Sequence, residues 1–299
     1  MAKLIGRHGS ARLMWKAKVM NQRGRRIYVE TLIRVPAEDP AGPDAMGRVW
    51  ALTQNPVDHA RWDLRFSRIT PKRHSPAAAA CLHRRSAAAD EAAAQAAEFT
   101  YSTTVLPRLS RWFPRLAVSG QGINAGQRLR SEGGALSALR FSSQQWWCPI
   151  RSGSGYWKYQ LRSDGAVIFL TGYDYEPRGG TPGRLLDAAV FRPLFGWATA
   201  WSFDRLRLWA EQGLSPESTR RRAVREALLR GGVVVLAWRI NPLAGIAATA
   251  AALIIPPGAG TPSARRTRRR PRQPVRDPEL LQRLPRLRQP SRPTEQEQP

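Results

Sequence analysis

The sequence predicts an α+β domain in which an antiparallel sheet of about seven strands packs against one long C-terminal helix. Short apolar segments separated by turn residues recur over residues 99–176, as is typical of consecutive antiparallel strands. Between Thr181 and Gly213, apolar residues recur every three or four positions, the period of a helix. Val49–Ile69 has the pattern of a helix, a corner and a strand in succession. A helix laid beside the first strands of a curved sheet can enclose a cavity, so we expect one here.

The first elements are predicted to be a strand and a helix. Residues 27–35 are rich in β-branched and aromatic types, which indicates a strand. Asp44 is a suitable N-cap for the helix that follows. Pro56 cannot occupy a helix interior, so a break is expected there. The alternation over Leu64–Thr70 predicts a second strand, which Pro71 should end.

An Ala-rich stretch at residues 72–97 separates the second strand from the rest of the sheet. It has little apolar surface to bury, and we interpret it as an insertion that is partly helical or disordered. Further along, the Ser163-Asp164-Gly165 turn between two aromatic segments indicates a hairpin. Strands are predicted at residues 99–106, 115–124, 135–142, 154–162 and 166–176.

One long helix is predicted over Thr181–Gly213. Thr181 and Pro182 supply an N-cap and a first-turn proline. Pro193 is expected to kink this helix or to split it in two, and Gly213 should end it. The apolar face of the helix consists of Leu185, Leu186, Ala189, Val190, Leu194, Trp197, Ala198, Trp201, Leu208 and Trp209.

The chain beyond this helix is predicted to have two parts. Residues 214–258 combine a short basic helix with Val233–Ile255, which is apolar for about the length that a bilayer requires. Arg239 and Asn241-Pro242 interrupt the apolar segment. Three interpretations therefore stay open: a membrane span, a hairpin at the membrane surface, and a helix that packs on the domain. Residues 259–299 are rich in Arg, Pro and Gln, and we predict a disordered tail.

The net charge of +26 would suit an anionic partner such as nucleic acid or acidic lipid. However, Arg supplies nearly all of the 48 basic residues, and together with abundant Ala and Pro this is what GC-rich coding produces. The charge is concentrated in residues 262–299 and in residues 1–26, a basic extension that is either a short amphipathic helix or disordered. No nucleic-acid-binding motif occurs, so nucleic acid is disfavoured as a partner. Binding of nucleic acid or an anionic surface through the two ends is kept as an alternative.

The cysteine content and the N-terminus indicate the compartment. Cys81 and Cys148 are too few for a disulfide framework and favour a reducing compartment. The basic N-terminus lacks the apolar stretch of a secretory signal. We therefore predict a cytoplasmic protein, with attachment to the inner membrane through residues 233–255 as an option. The histidines and cysteines lack metal-ligand spacing, and no glycine-rich phosphate loop occurs, so we expect neither a metal nor a cofactor.

One motif resembles a known superfamily. Val49, Trp50, Pro56 and Trp62 form the pattern V-W-x5-P-x5-W at the helix-to-strand corner. With the order strand, helix, six strands and long helix, this resembles the SRPBCC superfamily, the helix-grip fold of START-like lipid-transfer domains and polyketide cyclases. The resemblance covers residues 27–213. It implies a deep apolar cavity for lipids, polyketides or other hydrophobic molecules, and it supplies no universal catalytic residue.

Aromatic residues of the sheet and the long helix are expected to line this cavity, unless the core is packed solid. Polar groups that could enter it are Asp63, Arg65, Asp174 and Glu176. The plainer interpretation is that Asp63 caps the corner and that Asp174 pairs with an arginine on the outer face. The expected lining residues are Trp50, Trp62, Phe66, Tyr101, Trp157, Phe169, Tyr173, Trp197 and Trp201.

These observations favour a binding protein over an enzyme. The leading hypothesis is non-catalytic binding or transfer of a hydrophobic small molecule or lipid, with a membrane as a further candidate partner. The alternative is an enzyme of cyclase or aromatase type on the same fold, which would need an acid or a base inside the cavity.

Overall fold

A computed structural model describes residues 26–36, 44–74, 95–106, 116–129, 134–285 and 287. Its strands are β1 (Ile27–Ile33), β2 (Arg68–His74), β3 (Gln95–Leu106), β4 (Leu116–Leu129), β5 (Gly134–Ser142), β6 (Ile150–Leu161) and β7 (Val167–Pro177). They form one sheet in the order β1-β7-β6-β5-β4-β3-β2, and every neighbouring pair is antiparallel. With the long C-terminal helix described below, this confirms the predicted α+β class and the helix-grip fold.

The second strand continues past the proline that was expected to end it. Pro71 pairs with Phe99, and the register shifts between Pro71 and His74. Strand β2 lies at the edge of the sheet, where a residue without an N–H can be tolerated. Both ends of the predicted insertion at residues 72–97 therefore belong to strands, and its middle, residues 75–94, lies outside the described residues.

The helices fall into three groups along the chain. The first is α1 (Ala45–Gln54) and α2 (Pro56–Trp62). The second is α3 (Gly180–Leu186), a π-helical turn (Asp187–Phe191) and α4 (Arg192–Gln212). The third is α5 (Pro216–Ile240), α6 (Pro242–Ile254), a 3-10 turn (Ala264–Arg266) and α7 (Glu279–Arg283).

Two capping side chains define the corner between α1 and α2. Asp44 begins α1 by accepting a hydrogen bond from the Gly47 N–H at 2.6 Å. Asn55 ends α1 and caps α2, because its side chain accepts from the Val57 N–H at 3.0 Å. Pro56 follows as the first residue of α2. The N–H that proline lacks would have no partner within the helix at this position. The predicted break is thus a change from one short helix to the next.

The π-helical turn precedes the 21-residue helix α4. Pro193 lies in the first turn of α4, so its missing N–H falls where the backbone pattern changes from π to α. Gly213 ends α4 in the left-handed conformation with φ of 64°. The expected split at Pro193 is therefore a local widening of the helix just before the proline.

Helix α4 packs against the sheet through its C-terminal half. Phe203 is fully buried, and its ring stacks on the ring of Phe169 from β7 at 4.5 Å between centroids. Trp62 at the end of α2 contacts both rings, at 6.1 Å from Phe203 and 6.3 Å from Phe169. These three side chains form the centre of a solid core that also contains Val29 and Leu206.

Helices α5 and α6 form an antiparallel hairpin. The chain breaks at Asn241, whose side chain caps α6 by accepting from the Ala244 N–H at 2.8 Å. Gly245 allows the close approach of the two helices, since a Cβ there would lie 2.3 Å from the Trp238 ring. Arg230 of α5 donates to the carbonyls of Ala252 and Ile255 at the other end. The hairpin thus has defined contacts along its length.

This hairpin corrects the expectation for Val233–Ile255. The segment is divided between two helices, because Asn241 and Pro242 end one and begin the other. In the described part of the chain, no helix is both long and apolar enough to cross a bilayer. Residues 233–255 therefore do not form the single continuous apolar helix that was considered as a membrane span.

The C-terminal arm, residues 256–285, is ordered against the domain, although a disordered tail was predicted from residue 259. The buried carboxylate of Asp204 on α4 accepts from the Ser263 N–H at 2.7 Å and from Arg266 at 3.2 Å. Arg268 forms an isolated β-bridge with Glu30. These few contacts hold a polar segment against the domain, although its composition alone predicts disorder. Further along, Leu280 and Leu281 of α7 and the following Leu284 are buried against the outer face of the sheet.

Candidate functional site

A cavity of about 670 Å³ lies between the sheet, the α1–α2 corner and the N-terminal half of α4. Most of its wall is apolar, as is usual for sites that hold small hydrophobic molecules. The sheet contributes Ile69, Phe99, Val118, Leu139, Phe141 and Ile150, and α4 contributes Leu194, Phe195, Trp197 and Ala198.

The structure places the predicted aromatic residues in two groups. Phe66, Tyr101, Trp157, Tyr173 and Trp197 line the cavity.

Trp50, Trp62, Phe169 and Trp201 do not line it. Trp62 and Phe169 are fully buried in the solid core, because α4 lies directly on the sheet there. The ring of Trp50 packs on Tyr159 at 5.3 Å, and the ring of Trp201 stacks on Trp197 at 6.3 Å. The sequence pattern marked the interface between sheet and helix correctly, but only one end of that interface is open.

A buried ion pair forms part of the cavity wall at the α1–α2 corner. The side chain of Asp63 accepts hydrogen bonds from Arg65 Nε at 2.9 Å, from Arg65 Nη2 at 2.6 Å and from the Arg65 backbone N–H at 3.0 Å. His59 Nε2 lies 3.1 Å from Asp63 Oδ2, the oxygen that also accepts from Arg65 Nη2. Arg65 and His59 line the cavity, whereas the side chain of Asp63 is completely buried behind them.

The protonation states of this cluster follow from burial and charge. Burial alone would raise the pKa of Asp63, but the Arg65 charge and the hydrogen bonds from His59 and Arg65 outweigh it and hold that pKa well below its usual range. Burial lowers the pKa of His59 in spite of the nearby carboxylate. At neutral pH the cluster therefore contains an anionic Asp63, a cationic Arg65 and a neutral His59.

Tyr173 extends the cluster into the sheet. The Arg65 guanidinium lies over the Tyr173 ring at 5.1 Å from its centroid. The Tyr173 hydroxyl is 2.8 Å from Thr199 Oγ1 on α4, and burial raises its pKa. The hydroxyl is thus a neutral hydrogen-bonding group at the wall.

A second polar group lies at the end of α1. Gln54 Nε2 donates to the Tyr159 hydroxyl at 3.0 Å, and Gln54 Oε1 accepts from Asn124 Nδ2 at 3.3 Å. Thr53 Oγ1 is 2.7 Å from the same Tyr159 hydroxyl. Thr53, Gln54 and Asn124 line the cavity. The helix corner and the strand that carries Asn124 therefore supply linked polar groups to a wall that is otherwise mostly apolar.

The remaining predicted polar residues lie elsewhere. Asp174 pairs with Arg192 at 2.9 Å, and Glu176 lies 3.7 Å from Arg151 near the surface. Neither carboxylate lines the cavity. The plainer interpretation of these residues agrees with the structure, since Asp63 is also the C-cap residue of α2.

The sequence interpretation missed His59, Gln54 and Asn124 as lining residues. His59 had been weighed only as a metal ligand, although its spacing of four residues from Asp63 is a usable signal for a helical pair. Gln54 and Asn124 meet across 70 residues, and no local pattern reveals such a contact. Within the described ranges, no three His, Cys, Asp or Glu side chains come together as a metal site, and the pair Cys81 and His83 lies outside those ranges.

Comparison with known proteins gives limited similarities. No protein-family model matches the chain. The chain is 40% identical over 176 residues to YndG of Bacillus subtilis strain 168, described as an uncharacterised membrane protein. That match covers 59% of this chain and 57% of YndG. Among solved structures, the chain is similar to StfQ, a di-domain aromatase/cyclase from the steffimycin biosynthetic pathway, at 12% identity and a TM-score of 0.30, over 63% of this chain and 55% of StfQ.

These similarities have two consequences. The chain spans little more than half the length of either protein, and a TM-score of 0.30 supports no functional argument. The similarity to a protein described as a membrane protein contradicts the prediction of a cytoplasmic protein.

Proposed function

We infer that this chain binds, and can carry, a hydrophobic small molecule or lipid in the cavity between the sheet and α4, as a helix-grip protein of the SRPBCC type. The observation that carries this proposal is the cavity itself: about 670 Å³ of mostly apolar wall, with a small number of polar groups fixed by hydrogen bonds at the helix corner and on the facing strands. Ligand sites of this kind use apolar contact for affinity and a few fixed polar groups for orientation.

Binding is favoured over catalysis by the state of the carboxylates. The Asp63 carboxylate is bound by Arg65 on two sides and is buried away from the cavity. Asp174 and Glu176 lie outside the cavity. A general acid or base must reach the reacting atom within hydrogen-bonding distance, and none of these three predicted groups can do so. The carboxylate that does line the cavity is that of Glu98 on β3.

An enzyme of cyclase type is the second candidate, and His59 is the observation that favours it. A neutral imidazole held by a buried carboxylate is an arrangement that enzymes use for proton transfer. The two candidates differ in what happens to the bound molecule. For a binding protein, the molecule recovered from the wild type and from His59→Gln has the same mass on prolonged incubation. A mass difference of one water molecule between the two proteins would favour the enzyme.

The proposal is tested by filling the cavity. Ala198 of α4 lines it, so Ala198→Phe should occupy the space that a ligand needs. In native mass spectrometry after mild extraction, we expect a lipid-like adduct on the wild type and its loss from Ala198→Phe. Displacement of the neutral dye Nile red provides the same comparison in solution.

Ala189→Phe is the matched control, because Ala189 is exposed in the preceding π-helical turn and does not line the cavity. It should keep the adduct and the dye binding. A wild-type protein that carries no adduct and also ignores hydrophobic dyes would contradict the proposal, and so would equal dye binding by Ala198→Phe.

A further inference from the structure

We propose that the cavity selects an uncharged hydrophobic molecule that offers an oxygen acceptor, such as an ester or ketone carbonyl, and that it rejects the corresponding carboxylate. This inference rests on the proposed function and specifies the class of ligand. It follows from the way in which Asp63 and His59 set the charge of the wall around Arg65.

Arg65 is the main hydrogen-bond donor at the cavity surface. A guanidinium has five N–H groups, and Asp63 takes two of them, one on Nε and one on Nη2. Tyr173 lies against the guanidinium face and its hydroxyl is a further neighbour. Among the residues that the structure describes, these contacts leave N–H groups on the outer edge of Arg65 for an acceptor in the cavity.

The position of this donor is fixed. Asp63 binds one edge of the guanidinium through both carboxylate oxygens while its own side chain is fully buried, and the side chain of Arg65 is only 15% exposed. A donor held in this way is oriented before a ligand arrives, so it loses little freedom on binding. It therefore favours a molecule with a single acceptor at the matching position.

The cavity wall nevertheless has no excess positive charge. The charge of Arg65 is balanced by Asp63 at 2.6 Å. Because the ionised Asp63 can only accept, His59 Nε2 must carry the proton of their hydrogen bond, and burial keeps the ring neutral. Glu98, which also lines the cavity, adds a negative charge. The described wall thus has one arginine, which Asp63 already pairs, and an additional acidic side chain, so it does not compensate an incoming anion.

A carboxylate would consequently lose its hydration without gaining a full counter-charge. The cost of burying an incompletely paired ion is several kcal/mol in proteins. A carbonyl oxygen has a much smaller hydration to lose and still satisfies the Arg65 donor. A plain hydrocarbon would enter the cavity but would leave that donor without a partner.

Three probes test this ranking: methyl naphthoate, sec-butylnaphthalene and naphthoate. The hydrocarbon has the shape of the ester without its oxygens, and naphthoate differs from the ester by the loss of one methyl group and the gain of a negative charge. Each is titrated against Nile red at a pH where naphthoate is ionised. We expect methyl naphthoate to displace the dye at a concentration at least about tenfold lower than naphthoate and about fivefold lower than sec-butylnaphthalene. Tighter binding of naphthoate than of its ester, or equal binding of ester and hydrocarbon, would overturn the inference.

The variant Asp63→Asn then tests whether the Asp63–Arg65 pair causes the preference for the ester over the carboxylate. The substitution keeps an acceptor for Arg65 and removes the balancing charge, so naphthoate should gain about tenfold in affinity relative to the ester. Unchanged naphthoate affinity in a folded Asp63→Asn protein would show that the pair does not set the selectivity. Glu98→Gln provides a second variant, with an expected gain of about twofold, in case Asp63→Asn does not fold.

The outcomes separate this inference from the proposed function. If none of the probes displaces Nile red, and the dye itself does not bind, the cavity is not a ligand site and the proposed function fails. If all three bind but in another order, the cavity binds hydrophobic molecules and only the selectivity fails.

Discussion

The two ends of the interface between α4 and the sheet are built from the same kinds of residue but differ in packing. At the C-terminal end, the Phe203 ring stacks on the Phe169 ring at 4.5 Å between centroids, and both side chains are fully buried. At the N-terminal end, Phe195, Trp197 and Tyr173 line a cavity of about 670 Å³. The difference indicates that one end stabilises the fold and the other holds the ligand.

The largest expected effect tests this division directly. Phe203→Ala in the solid end should lower the free energy of unfolding by about 4 kcal/mol, because it leaves a void among fully buried rings. Phe195→Ala, eight residues earlier on the same helix, should cost about half as much, since its side chain already borders open space. Urea unfolding of both variants measures the two losses. Equal losses would mean that the two ends contribute alike.

The sequence predicted most of this interface because its signals are local. The alternation of β7 and the helical period of α4 place Phe169, Tyr173 and Trp197 on facing surfaces. The corner between α1 and α2 was predictable for the same reason. Asp44, Asn55 and Pro56 lie at helix ends, and each acts on backbone groups within three residues. The strands β3 to β7 then pair in chain order, whereas the pairing of β1 with β7 joins distant parts of the chain and has no local signal.

The sequence did not predict that the interface between α4 and the sheet has one open end and one solid end. It depends on how closely α4 approaches the sheet at each position, which is set by the sum of many side-chain volumes. The pairing of Gln54 with Asn124 and the anchoring of Ser263 by Asp204 are likewise long-range contacts. The composition of the C-terminal arm predicted disorder, whereas the contacts of Ser263 and Arg266 with the buried Asp204 hold this polar segment against the domain.

The second expected effect concerns the ion pair at the boundary between the two ends. Arg65→Met should lower the free energy of unfolding by about 3 kcal/mol at neutral pH, because Asp63 stays buried without its main counter-charge. Arg162→Met is the control, since its partner Asp164 is exposed and the pair contributes less than about 1 kcal/mol.

The dependence on pH identifies the cause of the loss. In the wild type the pKa of Asp63 is lowered, so its contribution to stability is present above the usual aspartate range and is lost as the pH falls through the folded-state pKa. In Arg65→Met, burial should instead raise that pKa, and acidification should relieve the buried charge. The difference between variant and wild type should therefore shrink as the pH is lowered in urea unfolding series. A constant difference would point to lost packing of the arginine.

The smallest effect compares the inner face of the sheet with its outer face. Leu281 of α7 is buried with Leu170 and Tyr156, whose neighbours Phe169 and Trp157 point to the inner side. Leu281→Ala should thus cost about 2 kcal/mol of stability and leave Nile red binding unchanged, because the arm touches the sheet on the side away from the cavity. The matched inner substitution is Leu139→Ala, which should alter dye binding at a smaller cost in stability because Leu139 lines the cavity. A loss of dye binding in Leu281→Ala would show that the arm controls the cavity through the strands, and the two faces could then no longer be treated as independent.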